Sequence, residues 1–294
     1  MVFKKFSMVE KNTPKLKVAI LGASGRLGRI LISLLRKENF EVYGLSRVNL
    51  DIDRFILDGK FDLPDVDIIV NTIAFTNVDL CEKYLDTAFK INSDFPRELA
   101  AFCHRNNIKL IQISTDYVFS GMSEGNYIES STPNPICIYG KSKLLGEQYV
   151  LKDENNKNLV IRTAWLFDLH SVNFLTWLIS ELEKSEGEIN VVSDQFGSPT
   201  STTYLALQII KLLDFNLSRI IHVTNIGNLS WYDFALQVAK IKNFPTNRIN
   251  PVSSKELHRI ASRPKNSSLI SEVNKKYAAF TPLSCNDALL NLLK

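Results

Sequence analysis

"KVAILG", residues 17 to 22, is a short apolar run that stops at a glycine, and "GASGRLG" then leads straight into a helical pattern. In that pattern Leu27, Ile30, Leu31, Leu34 and Leu35 fall on one face, so the segment reads as strand, tight turn and helix. Gly22 and Gly25 let the backbone turn sharply and approach a pyrophosphate, whose charge free helix N-terminal amides would meet. Gly28 permits close packing of the helix on the sheet. The spacing is G-x-x-G-x-x-G rather than the commoner G-x-G-x-x-G. Alone it also fits a structural turn, and its place after the first strand favours a nucleotide.

The alternation recurs along the first half. "EVYGLS" (41 to 46), "VDIIVNTI" (66 to 73), "IKLIQIS" (108 to 114) and "NLVIRT" (158 to 163) are short β-rich runs, with helical patterns over 79 to 105 and 139 to 152. Near-continuous apolar strands separated by helices imply a parallel sheet covered on both faces. The expected fold is α/β, a doubly wound Rossmann-type parallel sheet with a smaller, mixed α/β substrate-binding domain. Residues 1 to 15 read as a polar N-terminal extension and 16 to 165 as an NAD(P)-binding Rossmann domain. Residues 166 to 294 read as mainly the substrate-binding domain, with room for the chain to cross back to the first. Beyond residue 165, helical patterns cover 171 to 184, 201 to 213, 230 to 240 and 284 to 293, with one short strand at "INVVS". No Gly/Ser-rich linker separates the halves, which predicts close packing with a cleft between them.

With 294 residues, 45% of them apolar and 22% charged, the chain can bury the core of one large or two medium domains. Its net charge of +4 is scattered, which argues against a nucleic-acid stripe or a polybasic membrane anchor and still suits a small anionic ligand. Cys81, Cys103, Cys137 and Cys285 form no C-x-x-C pair, so neither zinc nor a disulfide framework is indicated, and a reducing cytoplasm is expected. The opening residues lack the apolar run of a signal peptide, and no later stretch approaches the ~18 apolar residues of a membrane span.

Chemistry concentrates in three places. After the second strand, where an NAD-preferring site offers a carboxylate, this chain has Ser46 and Arg47; a guanidinium there favours a 2′-phosphate, so NADPH is expected, with NADH the alternative and a solvated Arg47 the competing reading. In "YGKSK", Tyr139 and Lys143 lie one turn apart on one helix face, so both can reach one cleft. A ketone being reduced needs a proton at oxygen, and an ammonium nearby lowers a phenol's pKa from ~10. Thr115, ending "IKLIQIST", stands where such sheets expose their ligands and could hydrogen-bond the developing alkoxide. Each alone reads equally as a cap or a solvated pair; their conjunction is the signal.

At that point the chain resembles the extended short-chain dehydrogenase/reductases, and among them the dTDP-4-dehydrorhamnose reductase family. The resemblance rests on "GASGRLG", "VNTIAFTNVDLCE", "IN" at 91 to 92, "STDYVFSG", "YGKSKLLGE", "RTAWLF", "VVSDQFGSPT", "NLSWYDFA" and "RPKNSSL", which span residues 17 to 294. It implies NADPH-dependent reduction of the 4-keto group of a nucleotide-activated 6-deoxy sugar, with dTDP-4-dehydro-L-rhamnose first, and a homodimer. By similarity Gly25, Arg26, Leu27, Asp51, Ile52, Ala74, Phe75 and Thr76 line the dinucleotide, and Thr115, Tyr139 and Lys143 form the catalytic trio. Val78, Asp116, Tyr117 and Trp165 border the sugar, while loops with Gln195, Trp231 and Arg263 shape the far side of the cleft. Trp165 reads equally as packing and Trp231 as packing before ligand; Arg263 is the better ligand, since a diphosphate needs a cation and Pro264 stiffens the approach. "NTIAF" replaces the family's alanine-rich "NAAA", and "RTAWLF" lacks two of its hydroxyls, which puts the sugar in question. Some relatives bind Mg²⁺ at a dimer contact; no carboxylate cluster here matches one, and no metal is expected. Reductases of other ketosugars and a non-catalytic regulatory subunit are the rival readings.

Overall fold

In the first strand Val18 and Ile20 turn to one face and Ala19 and Leu21 to the other, all four fully buried, so both faces must be covered. The computed structural model describes residues 16–60, 63–152, 157–184, 186–214, 219–277 and 281–294; the polar extension at 1 to 15 lies outside the described residues. In chain order the strands are β1 (Lys17–Leu21), β2 (Glu41–Leu45), β3 (Ile68–Asn71), β4 (Lys109–Thr115), β5 (Leu159–Thr163), β6 (Leu166–Phe167), β7 (Ile189–Val192), β8 (Phe196–Gly197), β9 (Thr200–Ser201), β10 (Arg219–His222), β11 (Leu229–Ser230) and β12 (Ile249–Val252). The α-helices are α1 (Arg26–Lys37), α2 (Ile52–Asp58), α3 (Val78–Lys83), α4 (Leu85–Phe89), α5 (Phe95–Arg105), α6 (Ile138–Val150), α7 (Phe174–Glu183), α8 (Thr202–Leu212), α9 (Trp231–Ile241), α10 (Glu272–Tyr277) and α11 (Cys285–Leu293).

Six parallel strands form the main sheet in the order β10-β5-β4-β3-β1-β2. The chain leaves β1 toward β2 and returns to β3 on β1's other side, which opens a crevice at the strands' C-terminal ends. Leu27, Leu31 and Leu35 of α1 meet Tyr204, Leu205, Ile209 and Leu212 of α8 over one face. Phe55 of α2, Phe95 and Leu99 of α5 and Val150 of α6 cover the other. α8 and β10 thus come from the second half and complete the first sheet. The remainder packs α7, α9 and α11 around Leu175, Leu178, Phe234, Val238 and Leu289, with β7 and β12 paired in parallel.

One expected element divides. The helical pattern over 79 to 105 is broken at Tyr84 (φ −121°, ψ 64°) and loosened by a π-turn over Lys90–Asp94. The Asn92 carboxamide accepts from Phe75 N (2.9 Å) and donates to Phe75 O (3.1 Å) and Ser142 Oγ (3.1 Å). π-turns recur at functional sites, and this one ties the loop after β3 to α6.

α6 comes close enough for those bonds because Gly140 faces the Tyr117 carbonyl and Gly146 the Asn92 carbonyl, with no room for a Cβ at either. Gly146→Ala is expected to destabilise the protein by about 1–3 kcal/mol through overpacking, read from the midpoint of urea unfolding.

Candidate active site

The turn after β1 is built as its glycines predict. Gly22 holds φ +85° and its amide, with that of Ala23, donates to Leu45 O at 2.9 and 2.8 Å. A Cβ on Gly28 would collide with the Gly22 carbonyl, so α1 sits tight on the turn. No side chain caps α1 at Gly25, and its first turn carries no acidic residue, which leaves a positive helix end facing the crevice.

Two cavities lie along this edge of the sheet, and the second opens from the turn itself. One, about 1030 Å³, lies beyond β2 and is walled by Arg47, Asp51, Ile52, Arg54, Lys60 and Lys90 among others. Asp51 spends its carboxylate on capping α2, accepting from Arg54 N at 3.1 Å, while Asp53 pairs with Lys90 at 2.8 Å. The second, about 390 Å³, brings together Gly25, Arg26, Leu27, Ala74, Thr76, Thr115, Asp116, Tyr139, Lys143 and Trp165. Phe75, Val78, Tyr117 and Arg263 stand outside its wall.

Arg26 reaches across the cleft rather than into solvent. Its guanidinium donates to Leu166 O (2.7 Å) and Val172 O (3.0 Å) and pairs with buried Asp168 at 3.2 Å. Burial holds its pKa below the ordinary arginine value, with Asp168 working against that.

β4 delivers Thr115 to the sheet's C-terminal edge. Its hydroxyl donates to Asp116 Oδ1 (3.0 Å) and accepts from Tyr117 N (3.2 Å). Burial pushes the Asp116 carboxyl up to about 6, opposed by hydrogen bonds from Ser267 (2.5 Å) and Thr115. Tyr139 keeps part of its ring open to the cavity and meets Tyr117 edge-on at 5.7 Å. Burial of the phenol still pushes its pKa up, with the Thr115 hydroxyl opposing.

Lys143, 3% exposed, donates to Ile113 O at 2.6 Å, and burial lowers its pKa to about 8 while Glu147 works against the fall. The expected depression of the Tyr139 phenol by Lys143 is not met in this geometry. Burial raises the phenol, and the ammonium is turned to the Ile113 carbonyl.

On the far side, Trp165 holds a left-handed backbone (φ +46°) and stacks on Trp231 at 3.6 Å with planes 2° apart. Trp165 therefore serves packing and cavity wall together, whereas Trp231 is its support. Gln195 is buried in the loop before β8. Arg263 is engaged by Asp79 through two bonds (3.0 and 2.7 Å) and by Ala261 O (2.8 Å). That fork holds the Asp79 carboxyl down at about 2. Asp79, Asn92, Glu147 and Arg162 were not singled out from the sequence, although all four fall inside the motif stretches quoted above. Among the described residues no group of three or more His, Cys, Asp or Glu side chains could hold a metal ion.

A doubly wound parallel sheet, a glycine turn after β1 and a Tyr-x-x-x-Lys helix beside β4 define the short-chain dehydrogenase/reductase class. Within that class the chain belongs to the dTDP-4-dehydrorhamnose reductase (RmlD) family, whose model, described as the RmlD substrate binding domain, matches residues 16–294. It is 38% identical over 247 residues to dTDP-4-keto-6-deoxy-D-glucose reductase of Streptomyces niveus, covering 84% of this chain and 85% of that protein. It is 36% identical to the spore coat polysaccharide biosynthesis protein SpsK of Bacillus subtilis (strain 168), covering 95% and 97%. The crystal structure of dTDP-4-dehydrorhamnose reductase from Bacillus anthracis str. Ames in complex with NADP superposes with a TM-score of 0.87 at 35% identity, covering 95% and 99%.

Gly197 leaves no space for a Cβ against the Trp165 indole. Gly197→Ala is expected to displace Trp165 and change its fluorescence, and to weaken sugar-nucleotide binding roughly tenfold with NADPH binding unchanged, as titrations of each ligand would read.

Proposed function

We propose that this chain is an NADPH-dependent reductase that converts the 4-keto group of a nucleotide-activated 6-deoxy sugar, dTDP-4-dehydro-L-rhamnose first, to the alcohol. The observation that carries this reading is the gathering of Thr115, Tyr139 and Lys143 on one cavity of about 390 Å³ that begins at the glycine turn. The name of the Streptomyces niveus relative at 38% identity and that of the NADP-bound structure support it.

The residues present fit the cofactor. The uncapped start of α1 and the glycines beneath it suit a pyrophosphate, and Arg47, beside Lys60 on the larger cavity, suits a 2′-phosphate. When bound, NADPH supplies the hydride to the carbonyl carbon. Tyr139, kept protonated by its burial, delivers a proton to the carbonyl oxygen while Thr115 orients that oxygen beside the phenol. Lys143, seated on the Ile113 carbonyl one helical turn from Tyr139, brings a positive charge to the same cavity and holds the ribose of the cofactor. Asp116 and Trp165 border the sugar from the cavity wall, with Tyr117 and Val78 outside that wall, and Arg263, already paired with Asp79, shapes the rim rather than offering a spare charge. A homodimer and a cytoplasmic location belong to this reading; the buried, free thiols of all four cysteines support a reducing compartment.

A second reading, reduction of a related 4-ketosugar, is favoured by Ile73, Ala164 and Phe167 at positions where the family's usual pattern differs, and by the name of the Streptomyces niveus relative. Specificity constants over a panel of dTDP-4-ketosugars separate the two. The regulatory-subunit reading is weakened by the complete Thr115, Tyr139 and Lys143 set.

Wild-type protein supplied with enzymatically generated dTDP-4-dehydro-L-rhamnose should consume NADPH. Tyr139→Phe should lower kcat by roughly 10²-fold or more while retaining NADPH binding. Failure of the wild type with every ketosugar in the panel would reject the reductase reading. Arg47→Ala should raise KM for NADPH about tenfold and leave that for NADH within about twofold, in steady-state assays with each cofactor.

A further inference from the structure

Beneath the smaller cavity lies an ion pair that the chemistry above does not use. Arg162 of β5 and Glu147 of α6, side chains 1% and 3% exposed, meet through Arg162 Nε to Glu147 Oε1 and Oε2 (2.9 and 3.2 Å) and Nη2 to Oε2 (2.6 Å). Ser114 Oγ donates to Glu147 Oε1 at 2.5 Å. The guanidinium also lies over the Phe119 ring at 5.0 Å, and its Nη1 has no hydrogen-bond partner among the described residues. A buried ion pair is a poor way to stabilise a fold, since desolvation cancels much of its attraction. Its position suggests another use. Ile113 and Ser114 are consecutive on β4: the carbonyl of the first accepts from Lys143 Nζ, and the hydroxyl of the second donates to Glu147. Lys143 and Glu147 are themselves one turn apart on α6.

We propose that Glu147, fixed by Arg162 and Ser114, is a positioning residue that keeps Lys143 cationic and seated beside Tyr139. The proposal rests on the reading of Lys143 given above. The charged or titratable groups around α6 include Tyr139, Lys141 and Tyr149 on the helix itself, Cys137 at its N-cap, Asp116 and Tyr117 after β4, Arg162 of β5 on Glu147, Arg26 across the cavity, Glu82 bonded to Ile138 N and Arg97 of α5 over the Tyr149 ring. The negative charge of Glu147, one turn along the helix, works against the burial that lowers Lys143. Removing a negative charge disfavours the ammonium, so Lys143 would lose its proton at a lower pH.

The test is the pH dependence of kcat, with saturating NADPH and ketosugar, for wild type, Glu147→Gln, Glu147→Asp and Lys143→Met, with NADPH binding and thermal melts as folding checks. Wild-type activity should fall on the alkaline side with an apparent pKa near 8. Glu147→Gln should move that limb toward acid by about one unit or more, while returning to within about threefold of wild type near pH 6; Glu147→Asp should restore most of the shift. A structural role alone would lower kcat at every pH and leave the limb in place, and that result overturns the proposal. If Glu147→Gln does not fold, Glu147→Gln with Arg162→Met replaces the pair by neutral groups, and its limb must move likewise. Loss of activity in Lys143→Met with an unmoved limb in the Glu147 variants rejects this proposal and leaves the reductase reading standing. Full activity in Lys143→Met rejects both the proposal and the role given to Lys143.

Discussion

The approach of α6 to the sheet is the constraint on which the rest of the site depends. Gly140 and Gly146 let the helix backbone lie against the carbonyls of Tyr117 and Asn92, distances that any Cβ would forbid. At that separation Lys143 reaches Ile113 O, Ser142 reaches the Asn92 carboxamide and Glu147 reaches Ser114 and Arg162. A looser helix would lose these short bonds together, because all of them run between α6 and elements it touches. Close packing thus does for the site what a longer, flexible side chain could not: it fixes position with little rotamer freedom left.

The cleft is tied across its width by charged groups rather than by a hydrophobic hinge. Arg26 joins the glycine turn to Leu166, Asp168 and Val172, and Arg263 joins the segment before Pro264 to Asp79 on α3. Both arginines use several donors at once, which suits the planar guanidinium better than a lysine. The consequence for electrostatics is that neither is a free cation. An anionic ligand approaching the rim meets charge that is already shared, whereas the start of α1 and the Arg47 side of the larger cavity retain a less compensated positive potential.

Much of the architecture was legible from residue order. Continuous apolar strands cannot be tolerated at a surface, so "KVAILG", "IKLIQIS" and "NLVIRT" could only be buried parallel strands with helices on both faces. Gly22 and Gly28 were readable because a sharp turn and a close helix leave no alternative residue. The break of 79 to 105 was not, since a π-turn keeps helical periodicity to within one residue and betrays itself only through where Asn92 points. Nor was the return of α8 and β10 to the first sheet assigned to particular segments: a buried amphipathic helix and a four-residue strand carry no mark of which layer they join.

The sequence by itself determined the alternating layers, the glycine turn and the one-turn spacing of Tyr139 and Lys143, because these follow from local periodicity and from backbone freedom at single positions. Only the tertiary structure decided partners: that Lys143 is held on Ile113 O, that Arg162 meets Glu147, that Asp79 claims Arg263, and that Trp165 is strained against Trp231. Those pairs are 15 to 184 residues apart in the chain, Arg162–Glu147 and Arg263–Asp79 at the extremes. The physical reason is that charge and burial are properties of surroundings, so the same lysine titrates near its ordinary value on an open helix and at about 8 beneath this cavity.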